Sequence, residues 1–534
     1  MDPDHDYPAS DQFMSADAKR WVHRVHLAQP SFEDNSADVD RLLRVLSQET
    51  GQPVSCDLEW MHELPHILRE SGFALRCTLF SDGQGATLTD IQPDSCDQPS
   101  LGMAVDLGTT RYVLQLVDLE SGEIKSSLDR PNPQGRIGAD ILTRIHHAAS
   151  REGLRELQSV LIQDMNAAVT ELCTLEDVST SVVSNVALAG NTAMTHLFLG
   201  LDPRWMIREP YIPVVNSPGL VQAAALGLSI HPRGRVSCFP NIGSYFGGDL
   251  LAGILSSGLD SREEVALLVD VGTNAEVVLG TKDWLIACAG AAGPALEGGV
   301  SKIGAQAGPG IIDAVHIDPQ TLEISVHTIQ EEPPKGICGS GIIDLAAALF
   351  SAGLLDFRGK FVREKQPSLF VWEEDILCFR LVAARDSGTG QDLLIDQPEI
   401  DSLIRSKAAM FTILETLIDS VGLTFADLSA FFVAGTFGNY ISPRSAITLG
   451  MLPDLPLELF CPLGNSSLGG ALRLLQDPQA VQAVQATKER ITYLELNVNQ
   501  AFMNQFSAAK FLPHTERSKF PSVKIAPPPE EQQS

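Results

Sequence analysis

The chain has 534 residues, 44% of them apolar, and a formal charge of −29 from 67 acidic against 38 basic side chains. That balance excludes a general nucleic-acid or anionic-membrane binder, which needs basic surface, and leaves any phosphate site to local donors and a bound cation. Nine cysteines without a Cys-x-x-Cys pair, no apolar signal segment and no apolar run of the about 20 residues needed for a span predict a cytoplasmic chain with reduced thiols.

Residues 1–16 are acidic and polar and are expected to be disordered. Residues 17–100 predict a small acidic α+β domain; residues 1–97 carry 7 basic and 18 acidic side chains. Within it, Trp21 to Leu27 reads as an edge strand, followed by a helix capped at Asn35 or Ser36. Leu58 to Arg69 reads as a second helix, kinked or shortened by Pro65. Phe73 to Phe80 and Gly85 to Ile91 alternate as two strands joined at Ser81-Asp82-Gly83.

The run Gly102-Met103-Ala104-Val105-Asp106-Leu107-Gly108-Thr109-Thr110 is an apolar strand that ends in Asp, one apolar residue, Gly and two hydroxyls. Tyr112 to Val117 reads as its returning strand, Ile124 to Leu128 as a third, and Pro131-Asn132-Pro133-Gln134-Gly135 as a loop. Ile137 to Leu172 predicts one long helix or a broken pair, with Asp140 as a charge at its start. Val182 to Leu188 is a strand running into Gly190-Asn191-Thr192 at the start of the helix Ala193 to Leu199. There Asn191 either reaches a ligand or caps the helix, and His196 reads as a packed histidine. Pro203 to Pro218 reads as a surface loop. Val236 to Pro240 is a strand leading into the glycine-rich run Asn241 to Asp249, with Asp249 at the start of another helix.

Leu267-Leu268-Val269-Asp270-Val271-Gly272-Thr273-Asn274 repeats the order of residue types around Asp106, with Ala275 to Leu279 returning. Either turn alone is an ordinary hairpin signal. Two in matching order predict a duplicated domain, each half lending one phosphate loop to a shared cleft. Amides and hydroxyls of such a turn hold phosphate oxygens, while the Asp at the strand end faces a metal or a water. The glycine-rich run Cys288 to Gly310 suits a backbone that touches nucleotide or slides, with Ala291, Gly293 and Glu297 nearest it. Gly336-Ile337-Cys338-Gly339-Ser340-Gly341 gathers amides at a helix start, where a phosphate or ribose can use them, and Lys335 adds a positive group. Phe357 to Gln391 reads as a peripheral insertion, Ile400 to Val421 as a long helix, and Ala430 to Val433 as a strand feeding Ala434 to Tyr440. Beyond Ala483 a helical stretch is expected, then a loose tail from Pro513.

The two Asp-Gly turns resemble the phosphate-1 and phosphate-2 loops of the acetate kinase, sugar kinase, Hsp70 and actin superfamily. More narrowly, Met103 to about Leu475 resembles the large domain of the ATP-dependent reductive activators of corrinoid proteins. That likeness rests jointly on Leu188-Ala189-Gly190-Asn191-Thr192-Ala193-Met194-Thr195-His196, Cys288-Ala289-Gly290-Ala291-Ala292-Gly293-Pro294, Gly336 to Gly341, and Ala434-Gly435-Thr436-Phe437-Gly438-Asn439-Tyr440. Val22 to about Arg44 also resembles the segment just upstream in that family. The implied fold is α/β: a duplicated RNase H-like (actin/Hsp70-like), two-lobed nucleotide-binding core behind the small α+β domain. Its first lobe would span 101–235 and its second 236–483, with a helical extension and tail over 484–534.

The resemblance implies ATP and Mg²⁺ as ligands. Asp106, Asp249 and Asp270 become the catalytic carboxylates: Asp106 would hold Mg²⁺ through water, and Asp249 would orient a hydrolytic water. Gly108, Thr109, Thr110, Asn191, Gly272, Thr273, Asn274, Gly293, Gly339, Ser340 and Gly341 would line the nucleotide. Gly435, Thr436, Gly438 and Asn439 would receive the adenosine, with Phe437 and Tyr440 as stacking candidates. The implied activity is ATP-driven reduction of a corrinoid protein from Co(II) to Co(I), which supports methyl transfer. Such activators carry a plant-type [2Fe–2S] domain with a Cys-x4-Cys-x2-Cys cluster, whereas Cys56, Cys77 and Cys96 here form no cluster. The expected partners are therefore a corrinoid protein and a separate low-potential electron donor, with a homodimer left open. A non-redox ATP-dependent chaperone or scaffold for a corrinoid protein, and a small-molecule kinase of the superfamily, stand as alternatives.

Overall fold

In the computed structural model, residues 20–272, 274–291, 301–435, 441–494 and 500–524 are described, and their strands form five sheets. The expected disordered segment 1–16 lies outside them. The chain packs as two units: one takes the residues up to Ser256 together with Ser467–Glu489, the other Ser257–Ser466 and the residues from Arg490 on.

The first unit opens with β1 (Val22–His26), β2 (Val54–Ser55), β3 (Ala74–Ser81) and β4 (Ala86–Pro93), in the order β1-β3-β4-β2 with β1 at an edge. The helix Asp38–Thr50 starts from Ala37 with no side-chain cap. The Ser36 hydroxyl is drawn instead onto Asp34 at 2.6 Å, so the cap expected at Asn35 or Ser36 does not form. Pro65 sits inside an unbroken helix Leu58–Glu70. The carbonyl it leaves without a ladder donor belongs to Met61, on the exposed side, while Trp60, Leu64 and Leu68 bury the other face.

A six-stranded sheet follows: β5 (Leu101–Leu107), β6 (Arg111–Asp118), β7 (Ile124–Pro131), β8 (Val183–Gly190), β9 (Leu220–Gln222) and β10 (Arg235–Cys238), ordered β7-β6-β5-β8-β10-β9. β5, β8 and β10 run parallel, which aims their carboxyl ends the same way. Met103, Val105, Val186 and Leu188 pack there with Leu157, Leu161 and Met165 of the helix Arg151–Leu175. The predicted long helix is a broken pair, Ile141–His147 and Arg151–Leu175. The break lies where the Ser150 hydroxyl accepts the Gly153 N–H at 2.9 Å, and a Cβ on Gly153 would collide with the His147 carbonyl. The sequence reading begins the second lobe at residue 236, but β10 pairs with β8 and completes the first sheet.

The small sheet is joined to the large one by buried polar groups. The Asn185 amide in β8 donates to the Leu79 carbonyl at 2.8 Å and accepts from the Thr89 hydroxyl at 2.8 Å. Arg235 in β10 donates from Nη2 to both carboxylate oxygens of Asp57, at 2.7 and 2.5 Å.

The second unit holds β11 (Ala266–Val271), β12 (Asn274–Gly280), β13 (Leu285–Ala291), β14 (Ile311–Ile317), β15 (Ile324–Thr328), β16 (Gly336–Ile337), β17 (Phe370–Glu373), β18 (Ile376–Val382), β19 (Leu393–Asp396), β20 (Ala430–Ala434), β21 (Phe460–Gly464) and β22 (Ile491–Tyr493). Its main sheet runs β21-β20-β11-β12-β13-β22. A meander of three antiparallel strands with two parallel strands beyond the first is common to both large sheets, so the duplication read from the two turns is a duplication of topology. The helix Gln397–Ser420 starts from a capping box formed by Asp396 and Glu399.

Two expectations are corrected here. The stretch 357–391 is not peripheral: Phe370 packs edge-on against Phe361 and Phe379, which stack on each other, and all three belong to the buried core of this unit. The chain from Pro513 is not loose up to Lys524. Phe520 is buried against Phe411, and the Lys407 ammonium donates to the carbonyls of Phe511 and Pro513 at 2.8 and 2.6 Å. The proline cluster at 527–529 lies outside the described residues.

Candidate functional site

In the first unit the parallel strands deliver three chain segments to one sheet edge. β5 ends in Asp106-Leu107 and turns through Gly108, Thr109 and Thr110 into β6, with Asp106 opposite Val113 and Leu107 opposite Tyr112. A Cβ on Gly108 would lie 2.6 Å from the Arg111 carbonyl, so glycine is what lets the hairpin close this tightly. β8 ends in Gly190, which faces Leu107 across the ladder, and the chain continues into Asn191 and the helix Thr192–Leu199.

Asn191 takes both roles open to it. Its carbonyl oxygen caps the helix by accepting the Met194 N–H at 2.9 Å, and its amide donates to the Thr109 hydroxyl at 3.2 Å. Because Thr109 Oγ1 accepts from Asn191, its own hydrogen is left to donate elsewhere. That is the polarity a phosphate oxygen requires.

After β10 the glycine-rich run folds against this turn. The Thr192 hydroxyl is 3.2 Å from the Gly243 carbonyl and 3.3 Å from that of Phe246. The Asn241 side chain accepts the Gly248 N–H at 3.1 Å. A Cβ on Gly247 would collide with the Asp249 carboxylate and lie 2.5 Å from Asn191 Cα, so Asp249 and Asn191 are immediate neighbours across Gly247. Asp249 lies in the first turn of the helix Gly248–Ser257, and its carboxylate accepts the Leu250 N–H at 2.9 Å. Burial pushes its carboxyl up to about 6, against the smaller opposing effect of that backbone hydrogen bond. The first unit thus gathers Asp106, Gly108, Thr109, Asn191 and Asp249 at one edge.

Asn132, a plain loop residue by sequence, belongs to this turn. Its amide donates to the Gly108 carbonyl at 2.9 Å and its backbone N–H to the Thr110 carbonyl at 2.8 Å. The only local sign of it is its place between two prolines.

In the second unit Asp270 stands opposite Glu276 in the β11–β12 hairpin and beside Ala434 of parallel β20. Gly435 has a φ of +80°, and a Cβ there would come within 3.0 Å of the Asp270 carboxylate, so this backbone lies directly on that acid. Around Gly272 a Cβ would meet open space. Gly339, Ser340 and Gly341 form the first turn of the helix Gly339–Ser351 behind Cys338. Packing accounts for part of this motif: a Cβ on Gly341 would collide with the Ile312 carbonyl, and the Ser340 hydroxyl is 3.4 Å from the Asp313 carbonyl and 3.2 Å from Cys338 Sγ. Lys335 is paired with Glu332 at 2.6 Å. Thr273, Gly293, Glu297, Thr436, Phe437, Gly438, Asn439 and Tyr440 lie outside the described residues, as does the side chain of Asn274.

Other candidates settle as structural. Asp140 caps its helix through the Thr143 N–H at 2.9 Å and hydroxyl at 2.7 Å, bonds that lower its carboxyl pKa. His196 is fully buried, with Nδ1 2.7 Å from the Thr192 carbonyl and Nε2 accepting the Val214 N–H at 3.1 Å, and burial lowers its pKa. Cys288 lies inside β13, where burial pushes its thiol up to about 12. Among the described residues no group of three or more His, Cys, Asp or Glu is arranged to hold a metal ion, and no helix is long and apolar enough to cross a membrane.

Comparison with known proteins agrees with this architecture. Residues 9–98 match the RACo linker region, 101–262 the RACo middle region, and 264–524 the C-terminal domain of RACo, the ASKHA domain. The chain is 30% identical over 478 residues to the corrinoid activation enzyme RamQ of Eubacterium limosum, covering 88% of this chain and 79% of that protein. It is 25% identical over 435 residues to the Co(II) methylated amine-specific corrinoid protein reductase of Methanosarcina barkeri, covering 76% and 75%. A solved structure of a reductive activator for corrinoid, iron–sulfur protein superposes with a TM-score of 0.83 at 37% identity, over 96% of this chain and 82% of that one. With an ASKHA-type core, two large sheets of repeated topology and all three regions in order, the chain belongs to the RACo family of corrinoid activators.

Proposed function

We propose that this protein is an ATP-dependent reductive activator: it couples ATP hydrolysis to reduction of a corrinoid protein's cobalt from Co(II) to Co(I), so that methyl transfer can resume. The observation that carries the reading is the contact between Asn191 and Thr109, with Asp249 beside it, at the carboxyl ends of parallel strands in a member of this family.

Thr109 and Thr110 hold phosphate oxygens through hydroxyl and amide donors, and Thr273 and Asn274 do so in the second turn. Asp106 would hold Mg²⁺ through water, as that ion favours when phosphates share its shell. When bound, Mg²⁺ neutralises phosphate charge that a chain of net charge −29 would otherwise repel. Asp249 orients the attacking water and takes its proton, a role suited to a carboxyl near 6. The adenosine rests on the segment from Gly435 to Asn439, and Gly293 and the helix start at Gly339, Ser340 and Gly341 complete the nucleotide's surroundings.

Electron transfer to a low-potential cobalt is uphill, and ATP-driven contact makes it feasible by changing the metal's axial ligation or environment. The electron comes from a separate low-potential donor. The cysteines support this reading: Cys56, Cys77 and Cys96 form no Cys-x4-Cys-x2-Cys cluster, and Cys77 is wholly buried in β3 with its thiol pushed up. The reading places the protein in the cytoplasm and admits a homodimer.

The test is ATP turnover with and without a purified Co(II) corrinoid protein, followed with the cobalt visible spectrum and a low-potential reductant present. Stimulated hydrolysis with appearance of Co(I) is expected. Stimulation without Co(I) would replace the proposal by a non-redox chaperone, and no response in either signal would turn attention to a small-molecule kinase.

A further inference from the structure

The turn at Gly108–Thr110 is held from two sides. On one side Asn191 grips the Thr109 hydroxyl. On the other, Asn132 holds the turn through both its side chain and its backbone. It is 4% exposed, donates from Nδ2 to the Gly108 carbonyl at 2.9 Å, and donates its backbone N–H to the Thr110 carbonyl at 2.8 Å. Its Oδ1 accepts the Gln134 N–H at 3.0 Å.

Asn132 is itself fixed. Pro131 and Pro133 flank it and restrict the backbone on both sides. Gln134, fully buried, donates from its side chain to the Leu157 carbonyl at 2.9 Å and so ties the loop to the helix Arg151–Leu175.

The consequence is geometric. A trans peptide is planar, with its C=O and N–H pointing opposite ways. With the Gly108 carbonyl turned onto Asn132, the N–H of the same peptide, that of Thr109, must point away from Asn132. We infer that Asn132 is a positioning residue for phosphate binding: by holding the carbonyls of Gly108 and Thr110 it turns the Thr109 amide outward as a preset donor to an ATP phosphate oxygen. Donors fixed before the ligand arrives need no reorganisation, which is the source of their effect. This inference rests on the ATP reading above.

The test compares the full chain with Asn132→Asp and Asn132→Ala, measuring calorimetric binding of MgATP and of adenosine, which has no phosphate. Asp keeps the shape and the acceptor to Gln134 but loses the donor to Gly108. MgATP binding is expected to weaken about tenfold or more in both variants, as for a lost buried hydrogen bond at a charged ligand, with adenosine binding unchanged. Equal weakening of both ligands would mean a general structural disturbance and would overturn the inference, as would unaltered MgATP binding. Should a variant not fold, hydrogen exchange of the wild-type chain decides: MgATP must slow exchange of the Thr109 amide, and an unprotected amide with MgATP bound overturns the inference. A wild-type chain that binds no MgATP would instead remove the ATP reading itself.

Discussion

Asp249 lies in the first turn of its helix, as a structural acid would, but burial raises its carboxyl from 3.8 to about 6. As a base it must be ionised, so kcat for ATP hydrolysis is expected to fall about tenfold per pH unit below pH 6. Asp249→Asn should lower kcat by roughly 10² to 10⁴ and abolish that acid limb; a pH–rate profile of the variant still bending near 6 would exclude Asp249 as the base. Stability should move the other way. A folded-state pKa above the unfolded one contributes stability in full below pH 3.8, and that contribution is lost as pH rises through 6. The ionised carboxylate is therefore a burden at pH 7.5, and Asn, which still accepts the Leu250 N–H, is expected to raise the unfolding midpoint there, with the gap closing below pH 4. The sequence placed Asp249 at a helix start; that its carboxyl adjoins Asn191 and loses solvent came from the folding of the glycine run over β8.

At the scale of the element, the first phosphate turn is a junction of three segments rather than a self-sufficient hairpin. Its hydrogen bonds to Asn132 and Asn191 come from 24 and 82 residues away. Gly247 is the contact point of the third segment, and its missing side chain is the reason the run can approach. Gly247→Ala is expected to destabilise the chain by about 1–3 kcal/mol, since a methyl there has only backbone and a carboxylate to displace. It should also weaken MgATP binding by separating Asn191 from Thr109. Urea unfolding and calorimetry would measure both; native-like affinity and stability would show that the segments are not in obligatory contact. Gly272 contrasts with Gly108, for open space surrounds the Cβ position of one and a carbonyl crowds that of the other. Two turns with matching residue types thus use their glycines differently, which no reading of the turns as strings could distinguish.

At the scale of the molecule, the small N-terminal sheet is bound into the first unit through Asn185, which is fully buried and bonded to Leu79 and Thr89. Asn185→Ala would leave the Leu79 carbonyl without its donor, at an expected cost of about 1–3 kcal/mol. Native-state hydrogen exchange should show β3 and β4 opening together with β5 and β8 in the wild type and earlier in the variant; separate opening already in the wild type would refute the joint unit. What the sequence by itself determined was local or compositional: the two Asp-Gly turns, the strands and most helices, the acidic balance and the scattered thiols. These are legible because a strand, a turn glycine or a charge count is written in neighbouring residues. Only the tertiary structure decided that Asn132 and Asn191 converge on Thr109's turn, that β10 completes the first sheet, and that β22 and Phe520 complete the second unit. Those contacts depend on strand order and parallel crossovers, which bring together residues far apart in the chain and impose no period on the sequence between them.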